Sequence, residues 1–318
     1  MTASFAVVGA GGVGGLLAAL LARAGHDVRV LARGATLAAI RAHGLRIHGP
    51  SVEHEVPIAR ASDDVAALGQ VDFVLVTVKT WQVPGVAAEL GPLLRRGTLV
   101  VPLQNGVEAS AQLASVLGQA PVAGAVCTVL SWARSPGEIQ WVGARPGVVI
   151  GARCAEQGEA VASCAAALGA SGVRAQVTDD IERALWTKLL FIAPFGAVGA
   201  AEGRVAGPLR GSARTRERLV AAMREVAAVA GARGVVLPAD AVEVAVRTVD
   251  ALPEDGMASM HRDLVNGRPS ELHELIGAVV RLGREAKVET PVSADLYATL
   301  LPLEQRARGT VPGGSVLL

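Results

Sequence analysis

Of the 30 basic side chains in this 318-residue chain only three are lysine: Lys79, Lys188 and Lys287. Arginine serves almost everywhere else. A guanidinium cannot give up its proton in a protein, whereas an ammonium can. A lysine kept in such a background points to a place where arginine would not serve. Lys188 stands out because it lies in Leu185-Trp186-Thr187-Lys188-Leu189-Leu190, among apolar neighbours. Partial burial there would lower its pKa toward the range useful to a general acid. The competing explanation is a lysine snorkelling to solvent from a helix flank. Asparagine is as scarce as lysine, Asn105 and Asn266 being the two present. Downstream, Glu271 follows Ser270, which reads as the N-cap of a helix over 272–286. Such a place gives Glu271 a bland role in the helix dipole, and Glu274 and Glu285 read as helix-surface acids.

A second set of residues is suited to holding an anion. Gly9-Ala10-Gly11-Gly12-Val13-Gly14 follows the apolar run Phe5-Ala6-Val7-Val8 and precedes an Ala/Leu-rich stretch over 16–24. In the pattern Gly9-x-Gly11-x-x-Gly14, the first glycine permits a tight turn. The second lets a pyrophosphate approach the backbone, and the third lets helix and strand pack closely. The phosphates would sit at the helix N-terminus, where unpaired N–H groups and the dipole favour negative charge. A second strand over 27–32 ends at Arg33, about 20 residues beyond the loop. Acid at that place suits the ribose 2′-hydroxyl of NAD; Arg33 suits the 2′-phosphate of NADP. A strong strand over 71–78 leads into Lys79, and another over 98–103 leads into Gln104-Asn105-Gly106. Ligands of open α/β sheets bind at such carboxyl ends. The alternatives are a surface loop for Lys79 and a plain turn for Asn105-Gly106.

These side chains need a framework. Apolar runs alternate with Ala/Leu-rich stretches through the first half, the signature of βαβ units. Helices are expected over 35–43, 63–68, 83–94, 108–117 and 161–170. A β excursion is expected over 44–57 and further strands over 122–130, 139–150 and 173–177. The boundary falls near Thr178-Asp179-Asp180, one of which should cap a helix over 181–191. Pro194 and Gly196 should break or kink that helix. Beyond it only helices are expected, over 214–232, 239–249, 272–286 and 293–308, joined by loops over 251–259 and 266–269. The fold class is α/β: a Rossmann-type doubly wound sheet over 1–178 and an all-α domain over 179–318.

Composition narrows the function. Hydrophobic residues make up 51% and charged residues 19%, so a large core is available, and the net charge of +1 gives no reason to expect nucleic acid or an anionic membrane. Cys127, Cys154 and Cys164 form no CxxC, which argues against zinc and disulfides and for a reducing, cytoplasmic location. The six histidines (His26, His43, His48, His54, His261 and His273) are scattered and read as surface or turn residues. The uncharged start lacks a basic leader and is interrupted by glycines, so it reads as strand–turn–helix rather than signal peptide.

Taken together, the glycine loop, Arg33, Val76-Thr77-Val78-Lys79-Thr80-Trp81-Gln82, Gln104-Asn105-Gly106, Leu185-Trp186-Thr187-Lys188-Leu189, and Ser259-Met260 followed by Asp263 and Glu271 resemble the ketopantoate reductase (2-dehydropantoate 2-reductase) family, over nearly the whole chain. The resemblance implies NADPH-dependent reduction of ketopantoate to pantoate, on the route to pantothenate and coenzyme A. It implies Lys188 as proton donor to the ketone oxygen and Asn105 in contact with cofactor and substrate. It places Ser259 on the substrate and Glu271 at the cofactor–substrate junction, with Arg33 and Lys79 on the cofactor. The family's asparagines one and two turns after the lysine are here Ile192 and Gly196, and a further one is Ala206. That departure opens two alternatives: a paralogue reducing another branched or aromatic 2-keto acid, or a non-catalytic NADP-binding protein. The long C-terminal helices permit a homodimer.

Overall fold

The protein is described by a computed structural model covering residues 2–50 and 53–310. The described residues divide into two compact units, one within 1–104 and 108–181, the other formed by 105–107 with 182–310.

In the first unit the order is β1 (Ser4–Val8), α1 (Gly12–Arg23), β2 (Asp27–Leu31), α2 (Gly34–His43), β3 (Leu45–His48), β4 (Glu53–Val56), β5 (Arg60–Ser62), β6 (Phe73–Val76), α3 (Val83–Glu89), β7 (Leu99–Pro102), α4 (Ala109–Leu117), β8 (Gly124–Ser135), β9 (Glu138–Gly151), α5 (Gly158–Ala170) and β10 (Arg174–Thr178). Five parallel strands form one sheet in the order β5-β2-β1-β6-β7. Along β1, Phe5 and Val7 enter a core shared with α1, whereas Ala6 and Val8 enter the core under α3 and α4. Both faces are covered, which is why these strands are apolar throughout. The chain winds outward from β1 through β2 on one side and through β6 and β7 on the other. Its switch point therefore lies between β1 and β6, where such sheets bind ligands. A second sheet runs β10-β9-β3-β4, with β8 on β9. It packs over α1, so closely that a Cβ on Gly15 would lie 2.7 Å from Ile139 Cδ1.

The second unit contains α6 (Ile181–Glu202), α7 (Ala206–Arg210), α8 (Ala213–Ala232), α9 (Ala241–Asp250), α10 (Ser259–Val265), α11 (Ile276–Glu285) and α12 (Pro291–Ala307). Helix α6 is the core element, with Leu189, Leu190, Ala193, Ala197 and Val198 fully buried. It is long and apolar enough to cross a membrane by length and composition, but 61% of its most apolar window is buried inside the protein.

Several elements differ from the sequence expectations. Helix α6 runs unbroken through Pro194 and Gly196 to Glu202. Proline removes one backbone bond, and burial on the neighbouring helices holds the rest. The helix expected from Leu272 begins only at Ile276. Ser270 is not its N-cap, because its hydroxyl bonds Glu304 and receives the Leu272 N–H. The expected helix over 83–94 stops at Glu89, followed by a 3-10 turn at Gly91–Leu93 in which Pro92 lacks an N–H. The one over 63–68 shrinks to a 3-10 turn at Ala66–Leu68. Strand β5 and helices α7 and α10 are short enough to escape periodicity. His261 is buried on α10 rather than at the surface, and burial lowers its pKa. Cys127, Cys154 and Cys164 form no disulfide with one another.

Candidate active site

The first unit holds the glycine loop between β1 and α1, and its glycines are required for different reasons. Gly9 has φ +101, and a Cβ there would lie 2.9 Å from Val78 Cγ1. At Gly14 a Cβ would fall 2.0 Å from the Gly9 carbonyl oxygen and 2.3 Å from Thr77 Oγ1. That hydroxyl donates toward the carbonyls of Gly9 at 2.6 Å and Val8 at 3.0 Å, tying the loop to the end of β6. At Gly12 a Cβ would meet the β8 backbone, 2.6 Å from Trp132 Cα. Gly11 differs: a Cβ there would meet nothing within 4 Å. Ala10 is buried and Val13 half-buried. Gly11 is the N-cap of α1 in extended geometry, and among the described residues no side chain caps this helix and no acid occupies its first turn. An open, uncapped helix start beside a glycine with free space in front of it fits a dinucleotide pyrophosphate.

Arg33 stands at the N-terminal edge of α2, just past β2. Its Nη2 lies 2.8 Å from Glu89 Oε2, and its side chain is 65% exposed. An ion pair this exposed contributes little, about 0–1 kcal/mol, so a phosphate can compete for the guanidinium. Lys79 follows β6. Its backbone N–H donates to Gln82 Oε1 at 3.1 Å, and its ammonium lies 5.7 Å from the centre of the Trp81 ring. Gln104 holds this loop in place, its Nε2 donating to the carbonyls of Val76 at 2.9 Å and Val78 at 3.0 Å. The sequence marked Gln104 only as a polar residue at a strand end.

The second unit assembles three of the anticipated residues. Lys188 Nζ donates to Asn105 Oδ1 at 2.7 Å, and Asn105 Nδ2 donates to Glu271 Oε2 at 3.1 Å. Lys188 and Asn105 are half-buried; Glu271 is 5% exposed. An ammonium only donates and a carboxylate only accepts, so both neighbours dictate which way the Asn105 amide faces. Asn105 is brought here by Gly106, which has φ +98 and packs so tightly that a Cβ would lie 2.9 Å from the Glu274 carbonyl oxygen. Glu271 is therefore not a first-turn helix acid. It lies in the turn before α11, and its backbone carbonyl accepts the Leu275 N–H. Glu274 is not a surface acid either. Burial pushes its carboxyl up to about 6, and its Oε2 is buried without a hydrogen-bond partner. Glu285 pairs with Arg233 at the surface.

Ser259, the first residue of α10, is exposed and lies outside this hydrogen-bonded set. Its neighbours Ala258 and Met260 pack on α6 at Gly196, where a Cβ would sit 3.0 Å from Met260 Cε and 3.4 Å from Ala258 Cβ. Gly196 and Ile192 share with Lys188 the i, i+4, i+8 row of α6. Ile192 is half-buried and apolar, and Ala206 is fully buried on α7. The row beyond Lys188 thus carries no polar side chain at 192 or 196. Among the described residues no group of three or more His, Cys, Asp or Glu side chains could hold a metal ion.

Two family models match the chain, "Ketopantoate reductase PanE/ApbA" over residues 5–153 and "Ketopantoate reductase PanE/ApbA C terminal" over residues 180–304. Among curated proteins it is 31% identical to a 2-dehydropantoate 2-reductase of Mesorhizobium japonicum, covering 90% of this chain and 93% of that protein. It is 29% identical to an uncharacterized oxidoreductase of Bacillus subtilis, YkpB, covering 93% of this chain and 97% of that protein. Among solved structures, a PanE/ApbA family ketopantoate reductase from Ralstonia eutropha matches with a TM-score of 0.87 and 34% identity, over 96% of this chain and 99% of that one.

Proposed function

The chain belongs to the ketopantoate reductase PanE/ApbA family, and from that premise we propose that it is an NADPH-dependent 2-keto acid reductase that converts ketopantoate to pantoate. The observation that carries this reading is the Lys188–Asn105–Glu271 chain, at 2.7 and 3.1 Å. It supplies an oriented ammonium at one of the few positions where an arginine-rich chain has kept a lysine. NADPH, when bound, supplies a hydride to the keto carbon. Gly9, Gly11 and Gly14 shape the pyrophosphate seat, and Arg33 and Lys79 bring positive charge to the cofactor's phosphates. Negative charge then develops on the former ketone oxygen. The Lys188 ammonium stabilises that oxygen and gives it a proton, a role arginine could fill only in its electrostatic part. Asn105 holds the ammonium in one direction, and Glu271 holds Asn105. Ser259 contributes a hydroxyl on the substrate side. The proposal extends to a place in pantothenate and coenzyme A formation, a cytoplasmic location and a homodimer.

A second reading has an observation of its own. The row past Lys188 presents Ile192 and Gly196, and Ala206 is apolar and fully buried. A site lacking those hydrogen-bonding groups discriminates less against a substrate without the ketopantoate hydroxyl, and such losses alter specificity by orders of magnitude. A branched or aromatic 2-keto acid is then the preferred substrate of the same chemistry. Following NADPH consumption with ketopantoate and with a panel of aliphatic and aromatic 2-keto acids decides between them. Highest kcat/KM on ketopantoate supports the first reading, and highest kcat/KM on an apolar keto acid supports the second. NADPH binding with no turnover on any of them overturns both.

A further inference from the structure

The residue that precedes Glu271 is held by an ion pair from the end of α12, its carboxylate fully buried and its guanidinium half-buried. Glu304, in the last turn of α12, is fully buried. Its carboxylate accepts the Ser270 N–H at 3.1 and 3.0 Å, the Ser270 hydroxyl at 2.5 Å and Arg308 Nε at 2.5 Å. Arg308 Nη2 donates to the Ser270 carbonyl at 2.9 Å. One carboxylate and one guanidinium thus occupy the amide, the hydroxyl and the carbonyl of the same serine. The Ser270 hydroxyl also receives the Leu272 N–H at 3.2 Å. The peptide units on both sides of Glu271 are therefore fixed, and its side chain leaves this clamp toward Asn105.

Helix capping does not account for the arrangement. A serine cap works at an exposed helix start without help, and α11 starts only at Ile276, beyond the clamped residue. Nor is core stability the natural explanation, because a buried ion pair loses much of its attraction to desolvation and is often matched by apolar residues of similar volume. What the clamp supplies is a unique backbone position at Ser270 and hence a unique origin for the Glu271 carboxylate. We propose that Glu304 and Arg308 are positioning residues: through Ser270 they set Glu271, and through Glu271 and Asn105 they set the direction of the Lys188 ammonium. This rests on the reading of Lys188 as proton donor. Misplacement of a reacting group by about 1 Å can lower a rate about 10²-fold without touching the site directly.

The test is a double-mutant cycle in the full-length protein, with steady-state kinetics on the best 2-keto acid and NADPH titration by fluorescence. Arg308→Met is expected to lower kcat by about 10- to 100-fold while KM and the NADPH dissociation constant change less than about threefold. Arg308→Lys keeps a charge beside Glu304 without bridging it to the Ser270 carbonyl; it should give a smaller loss of the same kind and serves if the methionine variant does not fold. Ser270→Ala should also lower kcat, and Ser270→Thr, which keeps the hydroxyl, should restore it. In a Glu271→Gln background Arg308→Met should cost nothing further, since its effect passes through Glu271. Wild-type kcat in Arg308→Met and Arg308→Lys, or losses that multiply with Glu271→Gln, would overturn the positioning role while leaving the reductase reading intact. Wild-type kcat in Lys188→Ala would instead remove the premise, and the positioning proposal with it.

Discussion

Replacing Gly11 and Gly14 separately by alanine separates binding from folding within one loop. At Gly14 the new methyl would lie 2.0 Å from a backbone oxygen and 2.3 Å from Thr77 Oγ1, and neither neighbour is the free end of a flexible chain. The loop must shift by more than about 1 Å to reach ordinary contact, and overpacking of this kind costs about 1–3 kcal/mol. The shift also breaks the bond that the single Thr77 hydroxyl proton shares between the Val8 and Gly9 carbonyls, which contributes about 1 kcal/mol net. The sum is about 2–4 kcal/mol, a large share of the 5–15 kcal/mol typical of a domain. A melting temperature lower by about 10 °C follows for a unit of this size. Gly11 has φ −77 and open space before it. There alanine gains about 0.4–1 kcal/mol from a less flexible unfolded chain and loses a similar amount as a poorer N-cap, so the fold is unchanged. Its methyl would nevertheless stand in the proposed pyrophosphate seat, and NADPH affinity should then fall at least about tenfold, or ~1.4 kcal/mol. Thermal melts and NADPH titrations of the two variants are the assay. Wild-type affinity in Gly11→Ala, or a wild-type melt in Gly14→Ala, refutes the division of roles.

Three other outcomes follow. Arg33→Asp should weaken NADPH far more than NADH if Arg33 holds the 2′-phosphate as proposed; equal losses in parallel titrations would rule out that partnership. Glu274→Gln should stabilise the protein at neutral pH and not at pH 4. Burial pushes the Glu274 carboxyl up to about 6 from its usual 4.5, so the native state binds the proton more tightly than the unfolded chain, and stability falls as pH rises between those values. Scaled for its partial exposure, the gain above pH 6 is of order 1 kcal/mol, read from urea midpoints at the two pH values; a gain of equal size at both pH values would contradict it. Ile192→Asn combined with Gly196→Asn should shift kcat/KM toward ketopantoate and away from apolar keto acids. Met260 Cε, the free end of a flexible chain, must yield a few tenths of an ångström, and an unchanged ratio would show that this row does not face the substrate.

The sequence carried the first unit well because its signals are local. An apolar strand, a glycine loop and an Ala/Leu helix in succession report the nucleotide fold without long-range information, and Lys188 was conspicuous by its rarity. Legibility ended where distant segments decide. Asn105 follows a strand of the first unit, yet Asn105–Val107 group with the helical unit, and no local pattern reports that. Ser270 resembles a helix cap until Glu304, 34 residues later, takes its hydroxyl and amide. The delayed start of α11, and with it the position of Glu271, follows from that contact. Pro194 reads as a break or kink because local propensity takes no account of the burial of Leu189, Leu190, Ala193 and Ala197 around it. Glu274 and His261 read as surface residues for the same reason, since single charged or aromatic polar positions carry no periodic signature of burial.

The most direct measurement compares NADPH oxidation by the wild-type protein, Lys188→Arg and Lys188→Ala on the best 2-keto acid, with NADPH affinity measured alongside. The reading of Lys188 as both electrostatic partner and proton donor predicts turnover by the wild type and a loss of about 10²–10⁴ in kcat for both variants. The arginine variant should retain more than alanine, and NADPH affinity should be unchanged. Turnover by Lys188→Arg equal to the wild type would contradict proton donation from this residue, and equal turnover by Lys188→Ala would remove Lys188 from the chemistry altogether.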